Sequence, residues 1–395
     1  MEATIEDIYK KEKMIKNQIY IGAQPAAFEE KEVKGKLITY DNEDYYKISN
    51  SDAMRPFFMS IVSDSNHWMF ISSNGGLSAG RKDSESSLFP YYTDDKITES
   101  ADITGSKTIL QVHIDGKTFL WEPFSDRYAG IYNVHRNLYK NSFGNKVVFE
   151  EFNEDLGLTF RYQWNSSNIF GFVKKSTLSN NTDKEIKVTL LDGIQNIVPY
   201  GVPADLQNRV SNLVDAYKRS ELDVKAGIGI YALSAIIVDK AEPSEALKAS
   251  IAWSIGINNA KYLVSSSQLE NFREGNEIKQ EVDVKAEKGA YFVSADLTLE
   301  PESDDTWMIV ANVNQSMASI REISEKIKHE SNLSELVQDD IESGTKRLLE
   351  LNGASDCMQL SADKLRNTRH FSNTLFNIMR GGIFDDNYNI EKSDF

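Results

Sequence analysis

The sequence predicts a mainly β fold, a two-sheet antiparallel sandwich followed by a C-terminal helical segment. Three observations carry this reading. Apolar residues recur with a period of two from Gly35 to about Val313, the spacing that places alternate side chains on one face of a strand. The strand patterns are joined by turn sequences and not by regularly alternating helices, which argues against a parallel α/β sheet. Beyond Val313 the apolar period becomes helical.

Residues 1–34 read as an irregular, charged segment with one short helical pattern near Ile5–Ile15. Strand patterns then follow at Tyr45–Ile48, Met59–Ser63, His67–Ser72, Thr108–Ile114 and Lys117–Trp121. Asp115-Gly116 between the last two is a type I′ hairpin signal, because both central residues of that turn need positive φ. The series continues at Val147–Phe152, Leu158–Trp164, Phe170–Asn180 and Ile186–Leu191, with a turn at Asn180-Asn181-Thr182-Asp183. Pro203 suits the first turn of a helix over 204–219, in which Leu206, Val210, Leu213, Val214 and Tyr217 share a face. Strands resume at Gly227–Val238, Ala249–Ile255, Glu281–Lys285, Ala290–Leu299 and Trp307–Val313. Three amphipathic helices close the chain, marked by Ile320, Ile323 and Ile327, by Leu333 to Leu351, and by Leu365 to Met379. The organisation expected is therefore an N-terminal segment (1–34), a β-sandwich region (35–315) and a helical segment (316–395).

Composition narrows the function. The 395 residues carry 60 acidic against 44 basic side chains, a net charge of −16, with no basic block. That balance argues against a nucleic-acid or anionic-membrane surface. A lone cysteine, Cys357, permits no intrachain disulfide. The five histidines have no metal-ligand spacing, so no metal and no cofactor are expected. There is no apolar leader at the N-terminus and no membrane-length apolar run, and a cytoplasmic setting is the expectation. The five tryptophans all fall in strand patterns and are expected in the core.

The most informative stretch is Phe70–Asp83 with Leu88–Asp95. A strand pattern runs into Asn74-Gly75-Gly76, where two glycines allow positive φ or close approach to another surface. Arg81, Tyr91, Tyr92, Asp94 and Asp95 follow. Amide, guanidinium and carboxylate groups beside aromatic rings suit a hydroxyl-rich ligand. Asn74, Arg81, Tyr91, Tyr92, Asp94 and Asp95 are therefore the candidate saccharide-binding residues, on a loop expected at an exposed rim.

This stretch resembles the N-terminal region of the cellobiose and chitobiose phosphorylases and related glycosidases. Further stretches of similar pattern are Asp115–Trp121, the pair Val147–Phe152 and Leu158–Trp164, Lys174–Asn180, and Leu190–Pro199. Here Asn74-Gly75-Gly76 is one residue shorter than the family pattern, and Leu77-Ser78-Ala79 replaces the usual aromatic. The resemblance implies a galactose mutarotase-like β-supersandwich joined by a helical linker to an (α/α)6 catalytic barrel. It places the catalytic acid in that barrel, so no catalytic residue is assigned to this chain. The Gly381–Tyr388 stretch resembles the entry to the barrel. The expected function is a non-catalytic domain of a glycoside phosphorylase or hydrolase, with a saccharide or the barrel as partner. A homodimer through the helical segment is also expected, with Leu375, Phe376 and Met379 on apolar surface. A stand-alone carbohydrate-binding or structural protein is the alternative, and an aldose-epimerase-like enzyme, which would need a His acid and a Glu base, is the third reading.

Overall fold

The computed structural model describes residues 19–26, 31–209, 212–235, 247–381 and 392–393. A large sheet of eleven strands forms one layer. From edge to edge its order is β20 (Asp283–Lys285), β16 (Lys218–Asp223), β17 (Ile228–Leu233), β18 (Lys248–Ile255), β22 (Asp304–Ser316), β14 (Gly171–Asn180), β13 (Leu158–Ser167), β12 (Val147–Asn153), β11 (Val134–Asn141), β4 (Glu43–Ser49) and β3 (Lys34–Tyr40). Facing it is a five-stranded sheet in the order β10 (Lys117–Trp121), β9 (Gly105–Ile114), β15 (Ile186–Ile197), β21 (Gly289–Leu299), β19 (Lys261–Ser265). A four-stranded meander, β5 (Phe58–Ile61), β6 (His67–Ser72), β7 (Leu77–Arg81) and β8 (Ser87–Phe89), completes that layer. A two-stranded hairpin, β1 (Tyr20–Ile21) and β2 (Gln24–Pro25), stands apart. All described strand pairs are antiparallel.

The main core lies between the layers. Phe149, Phe160, Tyr162, Trp164, Phe172 and Trp307 of the large sheet meet Leu110, Val112, Val188, Leu190, Tyr291 and Val293 of the five-stranded sheet. Met59, Ile61, Met69, Ile71 and Leu77 of the meander join them. Each such side chain contributes about 1.5–3 kcal/mol by leaving water. The alternation is plain in β22: Trp307, Ile309 and Ala311 enter this core, while Met308 and Val310 point to the other face. That outer face is covered by two helices, α5 (Met317–His329) through Ile320 and α6 (Leu333–Asp356) through Leu333, Val337 and Ile341. Helix α7 (Lys364–Gly381) packs Phe371 and Leu375 on Leu348, beside Val62 and Phe143 of the sandwich. Ser316 caps α5, its hydroxyl accepting from the Ser319 N–H, which satisfies one of the free donors of the first turn.

Four short helices interrupt or border the strands: α1 (Asp94–Glu99), α2 (Ala204–Asn208), α3 (Asn212–Tyr217) and α4 (Leu269–Arg273). The turn between β9 and β10 has positive φ at Asp115 (50°) and Gly116 (74°), as a type I′ turn requires.

Several expectations need correction. The β layer opposite the large sheet is two sheets, because the chain turns back at Asn74–Gly76 and pairs β7 with β6. The helix expected over 204–219 is replaced by α2 and α3, and Lys218 already pairs in the large sheet with Leu233. Within the segment expected to be irregular, residues 20–25 form a hairpin around Gly22, which has a φ of 62°. The helix marked by Leu333 to Leu351 runs past that stripe to Asp356. The patterns at Ile5–Ile15 and Gly382–Tyr388 lie outside the described residues. Four of the tryptophans, Trp121, Trp164, Trp253 and Trp307, are core as expected. Trp68 is half-buried, and its indole donates to the Asp83 carbonyl (3.2 Å).

Candidate functional site

A cleft of about 510 Å3 lies where the three main sheets converge. Ser106, Lys107 and Thr108 of β9, Arg136 and Asn137 of β11, Phe149 of β12 and Tyr162 of β13 reach it. The connection from β10 to β11 supplies Phe124, Ser125 and Asp126. The β6–β7 turn adds Asn74 and Gly75, the end of α1 adds Thr98 and Glu99, and the turn after it adds Asp102.

The floor is aromatic. The rings of Phe149 and Tyr162 stack at 4.8 Å with 7° between planes, and Phe124 meets Tyr162 edge-on at 5.2 Å. Burial pushes the Tyr162 phenol up, reinforced by the Asp192 carboxylate. Phe124 sits at a φ of 64°, a left-handed conformation that a bulky residue adopts only when its surroundings impose it. The imposing group is Glu151, 1% exposed. Its carboxylate accepts the Phe124 N–H (2.7 Å), the Trp121 indole N–H (2.7 Å) and Arg136 Nε (2.7 Å).

The rim is charged but internally paired. Arg136 also donates to Asp126 (2.7 Å) and to the Ser125 carbonyl (2.8 Å). Burial alone would weaken its charge, but Glu151 and Asp126 outweigh that and hold the guanidinium firmly protonated. Lys107 bridges Asp102 (3.1 Å) and Glu122 (2.6 Å), and Arg273 clamps Glu122 at 2.8 and 2.9 Å. Burial works to raise the Glu122 carboxyl, yet the Arg273 and Lys107 contacts hold it below the usual carboxylate range. Asn137 donates to Glu150 (2.6 Å), so its side chain is also fixed from beneath. Among the described residues no group of three or more His, Cys, Asp or Glu side chains is placed to hold a metal.

Beneath the floor lies a buried polar knot. Lys174 and Asp192, both fully buried, pair at 2.5 Å. Asp192 also accepts from Thr108 (2.6 Å), Ser176 (3.1 Å) and the Trp307 indole (2.7 Å). Thr108 joins this knot to the cleft wall.

Of the residues singled out in the sequence, Asn74 alone lines this cleft. Its amide donates to the Thr98 carbonyl (2.9 Å) and its carbonyl accepts the Gly76 N–H (3.3 Å). Gly75 has a φ of 93° beneath the Tyr162 hydroxyl, and a side chain on Gly76 would strike the Ile97 carbonyl. The glycines thus do both things expected of them. Arg81 lies elsewhere, donating to Asn66 (2.8 Å), Asn168 (3.2 and 3.3 Å) and Asn312 (3.3 Å). Tyr91 packs edge-on against Trp68 (5.4 Å). Tyr92 lines a separate small cavity with Asn196, Gln207 and Asp215. Asp94 and Asp95 are exposed in the first turn of α1. The segment from Asn74 to Asp95 is not one rim loop: β7 and β8 within it are buried strands. The cleft residues Lys107, Phe124, Asp126, Arg136 and Tyr162 went unnoticed in the sequence. Tryptophan and glutamate next to Pro123-Phe124, after a hairpin, gave no spacing that sets them apart from ordinary strand ends.

No family model matches the chain, and no curated protein matches it. Among solved structures it is similar to a bacterial glucoamylase complexed with acarbose, at 11% identity over 75% of this chain and 37% of that one, with a TM-score of 0.38. It is similar to a protein described as a kojibiose phosphorylase, from the human microbiome, at 9% identity over 68% of this chain and 31% of that one, TM-score 0.39. It is also similar to a GalM/aldose epimerase homologue from C. elegans, at 11% identity over 66% of this chain and all of that one, TM-score 0.35. The chain spans about a third of the length of the glucoamylase and the phosphorylase.

Proposed function

We propose that this chain is a saccharide-binding β-sandwich that performs no catalysis by itself and supports the catalytic barrel of a carbohydrate-active enzyme. The observation that carries the binding half is the cleft: an aromatic floor beneath a rim of amide, hydroxyl and charged groups already held in place. Such a rim offers donors and acceptors to hydroxyls without reorganising, and the rings cover the apolar face of a sugar.

The absence of catalysis is supported by the state of the carboxylates. Three of the four that line the cleft, Asp52, Asp102 and Asp126, are in ion pairs with Lys31, Lys107 and Arg136. Glycoside hydrolysis takes a pair of carboxyl groups facing the scissile bond, and of these four only Glu99 is outside the ion pairs of the described residues. The epimerase reading, which needs a His acid and a Glu base on opposite sides of the sugar, is weakened by its histidines. His113 is bonded to Thr118 (3.0 Å) and Thr189 (3.1 Å) on the outer face of the five-stranded sheet, and His135 is paired directly with Glu154 (2.9 Å), which puts the two on the same side.

Isothermal titration of the full chain with glucose, cellobiose and maltose tests the binding half. Asn74→Ala and Asp126→Asn are expected to weaken binding about tenfold each, the loss of one good hydrogen bond to a hydroxyl. Binding that neither variant alters would refute this site. Incubating the purified chain with each disaccharide, with and without phosphate, tests the other half. No turnover is expected, and sustained release of sugar or sugar phosphate would overturn it.

A further inference from the structure

The cleft has a second lobe. Past Asp126 and Arg136 lies a hollow of about 290 Å3, lined by Lys31, Asp52, Ala129, Gly130, Tyr132, Asn133, Val134 and His135. Asp52, Asp126 and Arg136 line both spaces. They form a waist, not a wall, since the Asp126 side chain is 85% exposed where it meets Arg136. We propose that the two lobes form one trough that takes a neutral, linear oligosaccharide, with at least one unit in each lobe and the chain crossing the waist. This rests on the saccharide reading above and adds to it the length and charge of the ligand.

Charge decides the class. Every cation along the trough is already neutralised. Lys31 holds Asp52 (2.9 Å) and the Val134 carbonyl (2.6 Å). Lys107 holds Asp102 and Glu122, and Arg136 holds Asp126, Glu151 and the Ser125 carbonyl. A uronate or sulfated chain would find no unpaired guanidinium or ammonium and would face Glu99 besides. A polyol meets carboxylate oxygens with acceptor capacity to spare, since each carboxylate offers about four lone-pair sites.

The far lobe is shaped to receive a sugar. Ala129 and Gly130 line it with almost no side chain. His135 stands at its side as a fixed, partly exposed ring, stacked on Phe152 at 6.3 Å with 18° between planes and bonded to Glu154. Tyr132 is held by its hydroxyl on the Leu120 carbonyl (2.9 Å). Rigid rings lose little freedom on binding.

The test is a titration series on the full chain: cellobiose and cellotetraose, maltose and maltotetraose, with a sulfated heparin tetrasaccharide as the charged comparison. In one of the two neutral series the tetrasaccharide is expected to bind about tenfold more tightly than the disaccharide, and the heparin fragment is expected not to bind. Ala129→Trp, which places an indole in the far lobe, is expected to remove that gain, so that the two lengths bind alike. His135→Ala is expected to lose part of the gain. It serves as a second reading should the tryptophan disturb folding. Equal affinity for both lengths would overturn the trough while leaving the cleft reading intact. A gain that survives both substitutions would also overturn it. Preference for the heparin fragment would overturn the neutral class, and no binding by any neutral sugar would remove the cleft reading as well.

Discussion

Glu151 organises the cleft from below. One carboxylate, buried between β11 and β13, holds an arginine, an indole and the N–H of a residue in a left-handed conformation. Removing it leaves Arg136 half-paired in a buried site and frees Phe124 to relax a conformation costing about 1–3 kcal/mol. Glu151→Ala is therefore expected to destabilise the protein by about 3–5 kcal/mol, the range for breaking one side of a buried ion pair. Urea denaturation would measure it, and a loss under about 1 kcal/mol would show that Glu151 does not hold the site. His67 makes a second residue-scale prediction. Burial, with Arg81 nearby, lowers its pKa to about 3, its Nδ1 sits 2.8 Å from the Ser65 hydroxyl, and its Nε2 is buried without a partner. In the unfolded chain the ring takes a proton near pH 6.5. The unfolded state thus binds more protons than the folded one between about pH 6.5 and 3. Stability is full above that range and falls with decreasing pH, by at most about 1.4 kcal/mol per pH unit. Comparing wild type with His67→Leu at pH 7.5 and 5.5 isolates this from the carboxylates: the difference between the two pH values should shrink in the variant.

At the scale of elements, the glycine pair sets the position of α1. Gly76 lets β7 start directly beneath the Ile97 carbonyl, and α1 then carries Thr98 and Glu99 to the cleft. Gly76→Ala would place a methyl group inside that carbonyl, backbone against side chain, with neither free to rotate away. We expect a cost of about 1–3 kcal/mol, as for other overpacked positions, together with weaker sugar binding because α1 is displaced. Unchanged thermal stability and unchanged titrations would contradict it. Helix α6 is fixed differently. Asp340 accepts from the Ser167 hydroxyl (2.5 Å) and the Ile169 N–H (3.0 Å), while Arg347 pairs with Asp64 at 2.5 Å. The helix is thereby registered against the β13–β14 and β5–β6 connections by polar contacts at the edge of its apolar stripe.

At the scale of the molecule, the described chain is layered: five- and four-stranded sheets, the eleven-stranded sheet, then helices. Both faces of the large sheet are covered in its middle, so the central strands are apolar on both sides. No helix among the described residues is long and apolar enough to cross a membrane. The outermost helix, α7, leaves Phe376 (50% exposed) and Met379 (61%) bare beside its buried Phe371 and Leu375. Under the proposal that this helix meets a partner, the isolated chain should self-associate with rising concentration, since bare apolar area favours association. Sedimentation velocity of wild type against Phe376→Glu/Met379→Glu would test it; a strict monomer at high concentration in the wild type would count against the proposal.

What the sequence determined by itself is what depends on near neighbours. Period two gave the strands of 45–48, 147–152 and 307–313, Asp115-Gly116 gave its turn, and the i, i+3, i+4 stripes gave three terminal helices, because side-chain direction repeats locally. The Asn74-Gly75-Gly76 signal was legible for the same reason: positive φ and close approach leave a mark on residue type at the position itself. The tertiary structure alone decided that β7 and β8 are buried strands of a third sheet and that Arg81 and Asn74 part company. It alone brought Lys107, Phe124, Asp126, Arg136 and Tyr162 around one space. These residues come from four segments, and their meeting depends on strand register and on how the layers stack, which no local pattern encodes. Glu151 is the clearest case. In the sequence it is one of 60 acidic residues, and only burial beside Arg136, Trp121 and the Phe124 N–H makes it the one that holds the cleft together.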